Sequence, residues 1–565
     1  MLTVLTTLHS KFIHASLALP CLQTYCRDDC GPMAIREFTV HEPKEKVLAA
    51  LLAGDPDVMA FSVYLWNRRE SLELADALAV ARPGLRVVVG GPEVSFDGPE
   101  LFDRHPGVAA LVRGEGELPL KELLSAWSQG EVPRDVPRLT VRDGDRLVQG
   151  PDGPPLDDLD LIPSPFQAGL VDPGRGGLVY YETSRGCPYT CAFCLSALDG
   201  EVRSFSSARI RDDLDWLMGH NIPQVKLVDR TFNYDAGRAR EIWSYILQRN
   251  RSTRFHFEIG AHLFDSDSLA LLEKVPPRMF QFEIGVQSTL PETLSAVDRR
   301  ASLDRLEENV RRLRTNGNIH LHLDLIAGLP GESYRAFLGS IDRVASLAPH
   351  HLQVEPVKLL PGSPLRRDAG SLGIRFDPHP PYGVLGTPDL SFAEIARLRG
   401  VSRMLDLTFN SGRFGGFLEG LARVAGSLTA GLELLEDFWK KEGLFRFPLS
   451  QRAVFEKIGD FIGHRFAGAE AALLRELLAR DFAGSERVVP DSHPAFFDTG
   501  LTAEESKRVE ELVRKKFASV KGMGIKLQHF AAIFEHLPAL PDRTVLLFFY
   551  KTRTGQGMEV EEVIL

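Results

Sequence analysis

The sequence has little cysteine: six residues in 565, at positions 21, 26, 30, 187, 191 and 194. So sparse a set excludes a disulfide-stapled scaffold and points to metal binding or catalysis wherever cysteines cluster. Long apolar runs are missing too, and no stretch approaches the roughly eighteen uninterrupted apolar residues that a spanning helix needs. The beginning of the chain, MLTVLTTLHSKFIHASLALP, lacks the basic flank and continuous apolar core of a secretory signal. A cytoplasmic protein with reduced thiols and no membrane association is therefore expected. Excess positive charge is also absent, since 66 Lys and Arg stand against 76 Asp and Glu for a net charge of −10. Such a chain has no general attraction for phosphate backbones, so nucleic acid is not an expected partner.

What is present is enough chain for about three or four domains, each with its own core. Residues 1–130 alternate apolar runs (MLTVLTTL, VMAFSVYL, LRVVVGG) with helical patterns (SLELADALAVA, LPLKELLSAWSQ). This predicts a Rossmann-like α/β domain with helices on both faces of an open sheet. Residues 131–177 read as a linker, with a small hairpin around Asp143-Gly144 and then the Pro- and Asp-rich PDGPPLDDLDLIPSPF. From 178 to 375 the runs LVYYETS, QVKLVD, RFHFEI, QFEIGV, IHLHLDLIAG and HLQVEPVKLL alternate with helical segments. They predict a partial or complete (β/α)6 barrel, with its chemistry at the carboxyl ends of the strands. Residues 376–565 read as a mostly helical domain that ends in two strands, RTVLLFFYKT and EVEEVIL.

Cys187, Cys191 and Cys194 follow the spacing C-x3-C-x2-C at the end of the first barrel strand. A disulfide, a zinc site, an iron–sulfur cluster and simple packing are all open to them. Structural zinc normally takes four protein ligands, and here the fourth would have to come from a distance, for example from His256. A [4Fe–4S] cluster usually takes four cysteines, so three leave one iron open for another ligand.

The pattern C-x3-C-x-aromatic-C on a first barrel strand, with Phe193 before the last cysteine, resembles the signature of the radical S-adenosylmethionine (SAM) superfamily. The resemblance implies a [4Fe–4S] cluster on Cys187, Cys191 and Cys194, with Phe193 shielding it from water. It also implies SAM on the free iron, cleaved on reduction to a 5′-deoxyadenosyl radical. VKLVDRTFN resembles the second-strand segment near the methionine amino group, which makes Asp229 a candidate contact. FEIGVQS resembles the ribose-side segment, with Glu283 and Gln287, and LIAGLPGES the turn at Gly328 that packs against adenine. VKLLPGSPL resembles the end of the sixth strand. Read without the resemblance, Asp229 could simply cap the helix after DRTFN. Glu283, between Phe282 and Ile284, needs a ligand or a cation, because burying a lone carboxylate costs on the order of several kcal/mol.

In the N-terminal domain, VVVGGPEVSF (Gly90, Gly91, Pro92, Glu93) ends an apolar strand, and LVRGEGELPL (Gly114, Glu115, Gly116) comes after it in the chain. A G-G-P turn alone is a tight corner. Ahead of a radical SAM barrel, the pair resembles the cobalamin-binding domain of cobalamin-dependent radical enzymes. Cobalamin is then an implied cofactor, with the FSVYLWNRRE loop (Ser62, Tyr64, Trp66, Asn67) under the corrin ring. Packing is an equal reading for Tyr64 and Trp66. The D-x-H-x2-G motif that supplies a histidine beneath cobalt is missing, and His9, His14, His41 and His105 lack that context. SKFIHASLALPCLQTYC and FSVYLWN resemble the subgroup with a C-terminal domain of unknown function. Cys21, Cys26 and Cys30 read as core or surface thiols.

The implied activity is methyl transfer to an unactivated carbon, or to phosphorus, through methylcobalamin and the 5′-deoxyadenosyl radical. The expected partners are a small-molecule or peptide substrate and an external electron donor of flavodoxin or ferredoxin type. Cyclisation or rearrangement without methyl transfer, RNA modification, and a cobalamin sensor or electron carrier remain open. The basic run Lys507, Arg508, Arg514, Lys515, Lys516, Lys521 and Lys526 is interleaved with Glu505, Glu510 and Glu511, which favours a solvated helix face. The C-terminal domain is expected to cover the barrel mouth.

Overall fold

The computed structural model describes residues 1–11, 16–173, 177–198, 200–538, 540–541, 543–553, 555 and 557–565, so His14 lies outside the described residues. Two compact units are present: residues 1–332 with 356–391, and residues 333–355 with 392–565.

The apolar runs near the N-terminus of the first unit become parallel strands β1 (Thr3–His9), β2 (Met33–Thr39), β3 (Val58–Ser62), β4 (Arg86–Gly90) and β5 (Val108–Val112). Central β1 and β3 are buried along their whole length, as strands sandwiched by helices must be. Apolar clusters pack the sheet, and Cys26 and Cys30 belong to one of them, which makes them core thiols. Two strands were not expected. β2 (MAIREFT) is an edge strand with a mixed pattern, and β5 (VAALV) spends two of its five positions on alanine, which is depleted in strands. The hairpin β6 (Leu139–Asp143) and β7 (Arg146–Gln149) forms around Asp143-Gly144 as expected, but it is not linker. β6 pairs antiparallel with β5 and completes the sheet order β2-β1-β3-β4-β5-β6-β7. Buried Leu139 and Val141 explain why it docks there.

Strands β8 (Leu178–Tyr181), β11 (Gln224–Leu227), β12 (Arg254–Ile259), β13 (Phe280–Gln287) and β14 (His320–Ala327) pair in chain order, all parallel. Between β8 and β11, the two-residue strands β9 (Ser184–Arg185) and β10 (Arg203–Ser204) pair antiparallel. They form the two stems of loop 186–202, which carries the three cysteines. β13 and β14 alternate strictly between buried and half-buried residues, the signature of one apolar and one polar face. The sixth expected strand, β15 (His351–Pro356), also forms, and nearly all of it falls in the second unit. A short hairpin, β16 (Arg375–Phe376) and β17 (Val384–Gly386), belongs to the first unit.

The second unit is mostly helical, as expected, through Phe392–Leu407, Gly415–Ala425, Leu428–Lys441, Gln451–Arg465, Gly468–Ser485 and Ala503–Val520. It ends in three antiparallel strands rather than two: β18 (Lys526–Phe534), β19 (Thr544–Thr552) and β20 (Glu559–Ile564). Unexpected β18 begins at Lys526, the last residue of the basic run, and mixes polar and apolar residues without strict alternation. Helix Ala503–Val520 opens with a Thr502–Glu505 capping box and lays Val509, Leu512 and Val513 on the sheet. Lys507, Arg508, Arg514, Lys515, Lys521 and Lys526 are exposed, while Lys516 reaches Glu561 at 2.5 Å. Among the described residues, no helix is long and apolar enough to cross a membrane.

Candidate functional site

Loop 186–202 begins at Gly186, whose φ is +93°. A Cβ there would lie 2.0 Å from the Glu201 carbonyl oxygen, so glycine is what lets the stems close. The loop is pinned from outside: Ala192 N–H donates to Val297 O at 2.9 Å, and Leu365 N–H to Ala192 O at 2.8 Å. Cys187, Cys191, Cys194 and Phe193 thereby line one cavity of about 180 Å³, together with Glu283 and Gln287 of β13.

The residues fit the implied cluster and SAM. All six cysteines are free thiols, which removes the disulfide. Among the described residues, no three His, Cys, Asp or Glu side chains converge on a single-ion site. His256, the distant ligand that zinc would need, instead meets Glu283 at 2.9 Å. A cubane spreads its thiolates over separate irons, so three thiols on one cavity wall suit it without meeting at a point. Gln287 Oε1 and Arg299 Nε line the same cavity and are buried without a hydrogen-bond partner. Unpaired polar atoms of this kind are costly unless something polar occupies the space. Gln287 also sits at an irregularity of β13 with φ +71°, a strained position that re-aims its side chain.

Charges crowd the polar face of the barrel. Glu283 accepts from Lys226 Nζ at 3.1 Å and lies 2.9 Å from His256 Nε2. Burial alone would raise the Glu283 carboxyl, but the His256 hydrogen bond and the Lys226 charge outweigh it and hold it at about 2. Glu258, level with it on β12, has no such hydrogen bond and faces the charge of Glu283. Burial pushes it to about 7, against the weaker pull of Arg230 at 3.8 Å. Burial likewise raises Asp324, opposed by His322 at 3.0 Å. Tyr189 meets His262 at 2.9 Å, and burial, then the charges of Arg299 and Arg305, push that imidazole down to about 4. Arg299 reaches Cys191 Sγ at 3.7 Å and donates to Gly285 O at 2.6 Å.

A second cavity, of about 660 Å³ and mostly apolar, opens at the carboxyl ends of β1, β3, β4 and β5. The sheet order reverses between β2-β1 and β3-β4, and such a switch point leaves a crevice for ligands. Tyr64 and Trp66 stack in its wall with centroids 4.7 Å apart and planes 3° apart, and Trp66 Nε1 donates to Leu8 O. Trp66 is still 47% exposed, a flat apolar surface suited to a corrin-sized macrocycle. Arg230 lines both cavities.

Of the cobalamin candidates, Ser62, Tyr64, Trp66, Gly90, Gly91, Pro92, Gly114, Glu115 and Gly116 line this second cavity. Gly91 is also a tight corner: its φ is +107°, and a Cβ would lie 2.6 Å from Val63 O. Two cobalamin candidates, Asn67 and Glu93, and two SAM candidates, Asp229 and Gly328, lie outside both cavities. Asn67 is fully buried, accepts from Tyr64 N–H at 2.7 Å and donates to Leu8 O at 2.9 Å, tying its loop to β1. Buried Glu93 accepts from Tyr382 and faces Arg68. Asp229 accepts from Thr183 N–H at 3.0 Å and from both the Thr183 and Ser184 hydroxyls, so its acceptors are used inside the protein. It is not the helix cap either, because Asp235 caps Ala236–Arg249. Gly328 (φ +88°) allows close packing, since a Cβ would lie 3.0 Å from Val384.

Sequence reasoning passed over Glu258, Tyr189, His262, Arg230 and Arg299. Glu258 alternates with Phe257 and Ile259 in RFHFEI, so its carboxylate meets the same desolvation cost as Glu283. Arg299 carries no local signal, because the fold alone brings it to Cys191.

Three family models match: "B12 binding domain" over residues 4–124, "Radical SAM superfamily" over 181–344, and "Protein of unknown function (DUF4080)" over 371–532. The cobalamin-dependent radical SAM methyltransferase TokK of Streptomyces tokunonensis is 31% identical over 404 residues, 65% of this chain and 57% of that protein. The 2-(S-pantetheinyl)-carbapenam-3-carboxylate methyltransferase of Streptantibioticus cattleyicolor is 31% identical over 403 residues, with the same coverage of each. The chain thus spans under two thirds of the length of both relatives. Among solved structures, the cobalamin-dependent SAM radical enzyme OxsB with aqua-cobalamin and SAM bound superposes with a TM-score of 0.59 at 15% identity. That match covers 92% of this chain and 84% of OxsB, and it speaks for the fold. One polypeptide thus carries regions that match, in order, the B12 binding domain, the radical SAM superfamily and the DUF4080 family models.

Proposed function

We propose that the chain is a cobalamin-dependent radical SAM methyltransferase acting on an unactivated carbon, or on phosphorus, of a small-molecule or peptide substrate. The observation that carries the reading is the pairing of two cavities with Arg230 in both walls, one lined by three thiols and one by an apolar crevice. Two relatives named as methyltransferases support it. When bound, a [4Fe–4S] cluster, SAM and cobalamin supply reductive cleavage of a sulfonium and a transferable methyl group.

The chain's own residues then have definable tasks. Cys187, Cys191 and Cys194 would hold the cluster, and Phe193 would keep water from it. Glu283, ionised at neutral pH, can accept from hydroxyl or ammonium donors. Gln287 Oε1 offers an unused acceptor and Arg299 Nε an unused donor for a carboxylate. Trp66 and Tyr64 offer a flat face to the corrin ring. An external one-electron donor of flavodoxin or ferredoxin type would reduce the cluster.

Anaerobic reconstitution with SAM, a strong reductant and candidate substrates tests this. Formation of both S-adenosylhomocysteine and 5′-deoxyadenosine supports methyl transfer. If 5′-deoxyadenosine alone accumulates, the methyl assignment fails and rearrangement takes its place.

A further inference from the structure

The stems of the cysteine loop end on one carboxylate of the N-terminal domain. In the β9–β10 pair, Arg185 lies directly opposite Arg203. Like charges placed so repel. Glu115, from the RGEGE stretch after β5, sits where it offsets both. It takes Arg203 at 2.5 Å on one oxygen and Arg185 at 3.4 Å on the other. Glu117 binds the same Arg185 guanidinium at 2.7 Å, as does Glu182. Arg203 also donates to the Leu156 carbonyl. Burial alone would raise the Glu115 carboxyl, but hydrogen bonding to Arg203 and the charges of both arginines hold it below its usual range. Glu115, Glu117, Glu182 and Arg185 all line the large apolar cavity. Arg185 is separated from Cys187 only by Gly186, where the loop begins.

We propose that Glu115 is a positioning residue for the cysteine loop, and that through it cobalamin binding in the large cavity and cluster assembly on Cys187, Cys191 and Cys194 strengthen one another. The proposal rests on the assignment of the two cavities to these cofactors. A ligand against the cavity wall restricts the carboxylates that form it. A restricted Glu115 holds both stems, so less ordering is left for the loop when it is loaded. The coupling is reciprocal by linkage.

Cobalamin affinity, followed by its visible spectrum, is to be compared in the full chain with its reconstituted cluster and in the cluster-free Cys187→Ala/Cys191→Ala/Cys194→Ala variant. About tenfold tighter binding with the cluster is expected, within the usual range of such couplings. In Glu115→Gln the ratio should fall towards one, while Glu115→Asp should keep part of it. If Glu115→Gln does not fold by circular dichroism, Arg203→Gln, which leaves the Arg185–Glu117 pair in place, should lower the ratio at least threefold. An unchanged ratio in the folded variant, or a ratio of one in the wild type, overturns the proposal alone. Failure of the wild type to bind cobalamin or iron overturns the cofactor assignment with it.

Discussion

The two cavities are both built at the carboxyl ends of parallel strands, yet one is small and charged and the other large and mostly apolar. The difference comes from how the two sheets are covered. In the open N-terminal sheet, helices take both faces, so central strands are apolar throughout and only their ends and the following loops remain for a ligand. In the barrel sheet, one face of each strand is turned away from the helices. There β12, β13 and β14 carry His256, Glu258, Glu283, His322 and Asp324 between apolar neighbours. A charge-lined space can set the protonation of its own walls, whereas an apolar crevice mainly offers area.

Four changes would break or sharpen that contrast. The largest effect belongs to the charged cavity: Cys187→Ala, Cys191→Ala or Cys194→Ala should each reduce SAM cleavage to background, with bound iron and 5′-deoxyadenosine as readouts. Next, Glu283→Gln strands Lys226 beside a neutral partner. Breaking a largely buried pair of this kind should cost about 2–3 kcal/mol in denaturant unfolding at pH 7. The Glu283 carboxyl titrates near 2 in the fold against 4.5 ordinarily. Its contribution is therefore present above pH 4.5 and lost as pH falls towards 2.

Glu258 carries the opposite sign. With a folded value of about 7 against 4.5, it favours the fold below pH 4.5 and weakens it progressively as pH rises to 7. Glu258→Gln should flatten stability between those limits and raise it at pH 8 by about 1–2 kcal/mol. An unchanged slope between pH 5 and 8 would count against the desolvation argument. The smallest effect belongs to the apolar cavity. Trp66→Ala removes one ring of a stacked pair, worth about 1 kcal/mol, and should weaken cobalamin about five- to tenfold while leaving bound iron unchanged.

Much of this was legible in the chain. Long apolar or strictly alternating runs announced most strands of both sheets, and the cysteine spacing located one cavity. Glu283 stood out because a carboxylate inside an apolar alternation must be answered by something, and Gln287 through the resemblance of FEIGVQS alone. What escaped has physical reasons. β2 (MAIREFT) and β18 (KLQHFAAIF) mix polar and apolar residues without strict alternation, and β5 (VAALV) spends two of its five positions on alanine, which is depleted in strands. Asp229, Asn67 and Glu93 carry the right chemistry in the right motifs, but sequence cannot show that their hydrogen bonds are consumed internally. Arg185 and Glu115 are 70 residues apart in the chain, so only the fold reveals their ion pair.

The antiparallel hairpin at the end of the N-terminal sheet has a consequence for where this polypeptide can be cut. Without β6 and β7, the row of amide and carbonyl groups along β5, an almost wholly apolar strand, would face water as a template for edge-to-edge association. β7 instead presents RLVQ, with Arg146 and Gln149 exposed, as the outermost strand. A break at residue 130, which looks like a boundary in the sequence, would thus strip a guard from the sheet. Size-exclusion chromatography of chains truncated at 130 and at 150 should find self-association only in the shorter one.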